Sequence, residues 1–139
     1  IFSFPECSSP EYDPSLLNEI SNQYVQDQTN SCGCVQWTEN LSQQDIAAFD
    51  CLCQGWNTCT NTHLRMLETT REGHIVANDI IISPKENGNC QAFYLLDWSH
   101  DDYFEEEPIQ EKICQEMTCP YTTQMQNHPF VTTECTEVE

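Results

Sequence analysis

Cys32-Gly33-Cys34-Val35-Gln36-Trp37 and, after a gap, Cys51-Leu52-Cys53-Gln54-Gly55-Trp56-Asn57-Thr58-Cys59 together hold five of the chain's ten cysteines within 28 residues. Each Cys-x-Cys pair is followed by a tryptophan three residues after its second cysteine. Two cysteines separated by one residue close a ring too small for ordinary disulfide geometry. Each pair is therefore expected to send bridges to two different places, which makes this segment the hub of a cross-linked fold.

On the N-terminal side of the hub, residues 1–12 form a lead-in carrying Cys7, with Pro5 and Pro10 excluding regular helix. Asp13-Pro14 has the form of an N-cap followed by proline at the first helical position, and Leu16, Leu17, Ile20 and Tyr24 recur at helical spacing. The pattern predicts a helix over 14–27. Within the hub, Ser42 with Asp45 three residues on matches a capping box. Ile46, Phe49, Cys53 and Trp56 share a face after it, so a second helix is expected over 43–54, stopping at Gly55.

Past Thr60 the pattern changes to β-branched and aromatic runs broken by Arg71-Glu72-Gly73 and by Pro84, Asn87 and Gly88. These signals predict a three-stranded antiparallel meander over 62–69, 74–82 and 90–98, with a helix through Leu64 to Glu68 as the competing reading of its first strand. Pro108 then precedes Ile109, Ile113 and Met117 at i, i+4 and i+8, with Cys114 beside them, which predicts a later helix. The expected fold class is α+β. It is a small disulfide-rich single domain over 1–139, with two N-terminal helices, the meander and one later helix.

An even count of cysteines suits full pairing, so Cys7, Cys32, Cys34, Cys51, Cys53, Cys59, Cys90, Cys114, Cys119 and Cys135 are all expected in disulfides, with the connectivity open. Structural zinc would favour Cys-x2-4-Cys knuckles, and only Cys114 and Cys119 have that spacing, so neither metal nor cofactor is expected. Heavy disulfide use implies an oxidising, extracellular compartment. The N-terminal Ile1-Phe2-Ser3-Phe4-Pro5 reads as a mature end after signal cleavage. Asn40-Leu41-Ser42 is an N-glycosylation sequon, which would make the molecule a glycoprotein. No window approaches the ~20 apolar residues of a membrane span.

The formal net charge is −19, and Arg65, Arg71, Lys85 and Lys112 are the only Lys or Arg residues. Such a chain cannot neutralise phosphates, so nucleic acid and anionic membrane are poor partners. A protein partner with a basic surface, or self-association, is the reading that remains. The candidate contact is Trp98 with Asp101-Asp102-Tyr103-Phe104-Glu105-Glu106-Glu107, where carboxylates would steer the encounter and aromatics would supply short-range energy. The competing reading is a solvated acidic loop before a helix N-terminus.

Phe104-Glu105-Glu106-Glu107-Pro108 resembles the acidic tail of the hirudin class of thrombin inhibitors, which implies a cationic exosite as target. His100-Asp101 resembles the His-Asp dyad of secreted phospholipases A2, which implies a calcium-holding aspartate and a water-activating histidine. The expected order of helices, small sheet and helix is also similar in layout to lysozyme. The acidic, Lys-poor composition is similar to that of ciliate water-borne pheromones. His63, His74 and His128 are scattered and read as surface or structural residues. The expectation taken forward is a secreted, non-enzymatic protein that binds another protein as a signal, inhibitor or recognition factor. A self-assembling extracellular subunit and a small secreted hydrolase are the alternatives.

Overall fold

The computed structural model describes residues 2–7, 9, 11–38, 41–100, 108–117 and 132–138. Its elements run α1 (Ser15–Ser21), β1 (Asn30–Gln36), α2 (Gln43–Thr58), β2 (Thr62–Thr69), β3 (Ile75–Pro84), β4 (Cys90–Asp97), β5 (Ile109–Met117) and β6 (Thr132–Glu137). The six strands form one sheet in chain order. β1 is parallel to β2 and every later pair is antiparallel. Parallel neighbours need a crossover rather than a tight turn, and α2 supplies it. The remaining connections of β2, β3 and β4 are short turns in which Gly73 and Gly88, both at φ 87°, make the left-handed step.

The sheet is covered on both faces, so β2 and β3 are buried almost end to end, including the polar Thr62, His63, Arg65, Asn78 and Asp79. One core packs Phe49 and Leu52 of α2 against Val35, Leu64, Met66, Ile80 and Ile82. The other, on the opposite face, packs Leu17 of α1 and Tyr12 against Leu67, Ala77, Ile81, Leu95 and Ile109. Residues 64 and 66 fall to the first face and residue 67 to the second, as the strand period of two requires.

The expected arrangement is corrected by this sheet. The meander is not three-stranded: the three strands placed over 62–98 lie inside a six-stranded mixed sheet, flanked by β1 on one side and by β5 and β6 on the other. The later helix predicted after Pro108 is strand β5, hydrogen-bonded to β4 and β6. Positions i, i+4 and i+8 share a face at a strand's period of two as well as at a helix's 3.6, so that spacing does not separate the two. The α1 helix ends at Ser21 instead of 27, and Asn22 closes it in a right-handed conformation.

Gly55 does not stop α2, which continues to Thr58. A Cβ on Gly55 would stand 2.7 Å from the Cβ of Thr62, so the glycine serves close approach of helix to β2. The helix instead ends in a Schellman arrangement: Thr60 N–H donates to Gly55 O at 3.0 Å and Cys59 N–H to Trp56 O at 3.2 Å. Cys59 takes the left-handed position there at φ 52°, the only non-glycine with positive φ among the described residues. At the other end, Ser42 and Asp45 complete the reciprocal capping box.

The hub's cysteines divide between elements. Cys34 bonds Cys7 and so holds the N-terminal segment to β1, while Cys32 bonds Cys51 and so holds β1 to α2. Cys32 packs with the α2-side core and Cys34 with the α1-side core. The register of β1 on β2 shifts between Ser31 and Cys34, where Gly33 sits at φ 98°. Cys114 and Cys135 are directly opposed in β5 and β6 and are bonded to each other. Cys53 is also disulfide-bonded. Cys59 and Cys90 carry free thiols, which corrects the expectation that all ten cysteines are bridged.

Candidate interaction site at the β4–β5 hairpin

The acidic stretch 101–107 falls in sequence between β4 and β5, and the residues that flank it form the hairpin base. Asp97 pairs with Ile109 in the sheet, and Trp98 N–H donates to Pro108 O at 2.7 Å to close the base. Asp97 is fully buried and is the anchor of this corner. Its Oδ1 accepts the Ser99 N–H at 2.9 Å, and its Oδ2 accepts the Tyr12 hydroxyl at 2.6 Å. Burial, and then the bond to the Asp97 carboxylate, push the Tyr12 hydroxyl well above the ordinary tyrosine range.

His100 ties the same corner to the N-terminal segment. Its Nε2 accepts the Asp13 backbone N–H at 3.2 Å, its Nδ1 lies 3.2 Å from Ser99 Oγ, and its ring stacks obliquely on Tyr12 with centroids 5.0 Å apart. Both ring nitrogens are thus engaged in holding the hairpin base. Asp13 brings charge to this corner. Its carboxylate accepts the hydroxyl of Ser15 at 2.7 Å and its N–H at 3.0 Å, and these two bonds hold Asp13 below the usual carboxylate range. Glu6, Glu11, Asp13 and Glu19 are all exposed along the N-terminal segment and α1.

Beneath this corner lies a buried ionic cluster. Arg65 and Asp79 face each other in the β2–β3 register, with Arg65 Nε donating to Asp79 Oδ1 and the terminal NH2 to Oδ2, each at 2.7 Å. The Ser21 hydroxyl donates to Asp79 Oδ2 at 2.6 Å, and His63 Nε2 lies 3.0 Å from Asp79 Oδ1. Burial alone would raise the Asp79 carboxyl. His63 and the Arg65 fork outweigh it and hold Asp79 well below the carboxylate range. Phe2 and Phe4 roof the cluster, stacking edgewise on His63, and the Arg65 guanidinium lies 5.1 Å from the centre of the Phe4 ring. The consequence for the surface is direct: one of the four basic side chains is withdrawn from it. Of the other three, Arg71 is exposed, Lys112 is half-buried and Lys85 donates to Gln115.

Of the residues singled out in the sequence, Trp98 is half-buried at the hairpin base. Asp101, Asp102, Tyr103, Phe104, Glu105, Glu106 and Glu107 lie outside the described residues, as do Asn40, Cys119 and His128. Sequence reasoning missed Tyr12, Asp13 and Asp97 as the parts that seat the hairpin, and it read His63 as scattered. The one available signal was Arg65 and Asp79, opposite charges set within two apolar runs. No family model, no curated protein and no solved structure matches the chain. The site's reading rests on its own geometry.

Proposed function

We propose that the protein is a secreted, non-enzymatic binding protein that recognises a cationic protein surface through its anionic β4–β5 hairpin. The observation that carries this is the bond between Asp13 N–H and His100 Nε2, which holds the acid-lined N-terminal segment to the last described residue before the acidic stretch. Charge balance supports it. The chain has 23 acidic residues against 4 Lys or Arg residues, and among the described residues Asp79, Asp97 and Arg65 are the ones of these that are buried. An anionic field of that size accelerates encounter with a cationic partner and falls with salt.

The test compares two triple variants of equal charge change. One is Glu105→Gln, Glu106→Gln and Glu107→Gln. The other is Asp50→Asn, Glu86→Gln and Glu137→Gln, three exposed positions on other elements. Association with an immobilised Lys/Arg-rich peptide is followed across ionic strength. The hairpin variant should associate roughly ten-fold more slowly at low salt, with a flatter salt dependence, while the control set loses far less. Equal loss in both variants would reduce the effect to net charge and overturn the hairpin as the recognition site.

A further inference from the structure

We propose that Cys59 and Cys90 are a convertible pair, a dithiol that closes into a further disulfide by exchange with a small-molecule disulfide. It would be the one cross-link of this molecule that opens and closes under mild redox change.

Three observations lead there. The first is placement. Cys59 ends α2 and shares a surface depression with Thr60, Asn61 and Pro84, and Pro84 is the residue directly paired with Cys90 at the start of β4. Cys90 lines a second depression with Trp56, Lys85 and Asn89. The two half-buried thiols therefore flank one corner, between two openings to solvent.

The second is backbone conformation. The left-handed position that ends a helix is normally filled by glycine, because a Cβ costs energy there. Here it holds Cys59 at φ 52°. A side chain kept at a strained position points to a use for that side chain, and the one it meets is the Cys90 thiol.

The third is access. Cys59 and Cys90 are half-buried beside two surface depressions, whereas Cys114 is completely buried in its bond to Cys135, and accessible bridges are the labile ones.

The chemistry balances with oxidised glutathione as the oxidant. The Cys59 thiolate attacks one sulfur of glutathione disulfide, whose S–S bond breaks and releases one glutathione thiolate. Burial first, and then the neighbouring Cys59, push the Cys90 thiol up, which favours Cys59 as the first nucleophile. Cys90 then loses its proton and attacks the Cys59 sulfur, forming Cys59–Cys90 and expelling the second glutathione. Two protein thiols lose two protons and two electrons, and glutathione disulfide takes them up as two thiols. The product would clamp the C-terminus of α2 to the β3–β4 turn.

The experiment equilibrates the native full chain with glutathione buffers from reducing to oxidising, quenches in acid, alkylates free thiols and maps the linked peptides. The expected result is a Cys59–Cys90 link that appears and disappears across this range while Cys7–Cys34, Cys32–Cys51 and Cys114–Cys135 stay closed. Melting should shift with it, the closed form unfolding about 5 °C or more above the open form. In the Cys59→Ser, Cys90→Ser variant that redox-dependent shift should vanish while the fold is retained. A stable glutathione adduct on Cys59 with Cys90 still alkylatable would overturn the proposal. So would a link that opens only together with the other disulfides, or a shift that persists in the double-serine variant.

Discussion

Arg65 and Asp79 stand opposite each other in adjacent strands and join through two hydrogen bonds of 2.7 Å, with neither side chain reaching solvent. A pair of this kind specifies more than it stabilises, because desolvation of both charges offsets much of their attraction. Its placement matters for this fold. Arg65 pairs with Asp79 only if β2 and β3 keep their register, and a slip of one residue would drive two charges into the wrong core.

Removing one partner leaves the other buried and uncompensated. Asp79→Asn is expected to destabilise the protein by about 3–5 kcal/mol in urea or guanidinium unfolding. Replacing both, as Arg65→Met with Asp79→Leu, is expected to recover most of that loss, since buried pairs are often exchangeable for packed apolar groups. A double variant as unstable as Asp79→Asn would show that the pair supplies net stability.

The stability profile against pH should fall on both sides. The Asp79 carboxyl is lowered in the folded state, so its contribution is present above the unfolded value of about 3.9 and is lost as pH falls below that. Glu68, raised by burial, acts in the opposite sense and softens the acid limb. Tyr12, Tyr24 and Tyr94 are all raised, in each case first by burial. Their contribution is complete below about pH 10 and is lost as pH rises above it. Tyr12→Phe should lower stability at neutral pH by about 1.5–3 kcal/mol, by removing a bond to a buried carboxylate. It should also flatten the alkaline limb in melting curves taken from pH 8 upward.

Legibility was uneven, for identifiable reasons. The strands β2, β3 and β4 announce themselves in β-branched and aromatic runs, and the Ser42–Asp45 box marks the start of α2. By contrast, β1 contains Ser31, Cys32, Gly33 and Cys34, with weak strand preference, and becomes a strand through its parallel pairing with β2. β5 was read as a helix because steps of four drift only ~40° around a helix and not at all across a strand face. At the candidate site, the acidic run is plain from local composition. The Tyr12–Asp97 and Asp13–His100 bonds that hold the hairpin base span 85 and 87 residues, and only the folded register brings those positions together.

Gly55 offers a test of the closest helix–sheet contact. Alanine is the better helix former by about 1 kcal/mol, yet its Cβ would overlap the Thr62 side chain. Overpacking of this kind costs about 1–3 kcal/mol, so Gly55→Ala should lower stability on balance. Adding Thr62→Ala should relieve the clash, and urea midpoints of the single and double variants would show a favourable coupling between the two sites. A neutral single variant would mean that α2 can shift away from β2 freely.

His100 separates a binding protein from a hydrolase. A histidine that activates water needs a ring nitrogen facing that water. Here Nε2 accepts from Asp13 N–H and Nδ1 lies beside Ser99 Oγ, so the imidazole is held as part of the hairpin base. His100→Ala should therefore loosen the corner, with a loss of about 1 kcal/mol from the missing hydrogen bond and slower association with a cationic peptide than the wild type shows. Purified wild-type protein should show no calcium-dependent release of fatty acid from dispersed lipid. If it does, and His100→Ala abolishes the activity without unfolding the chain, the ring is a general base and the binding reading fails.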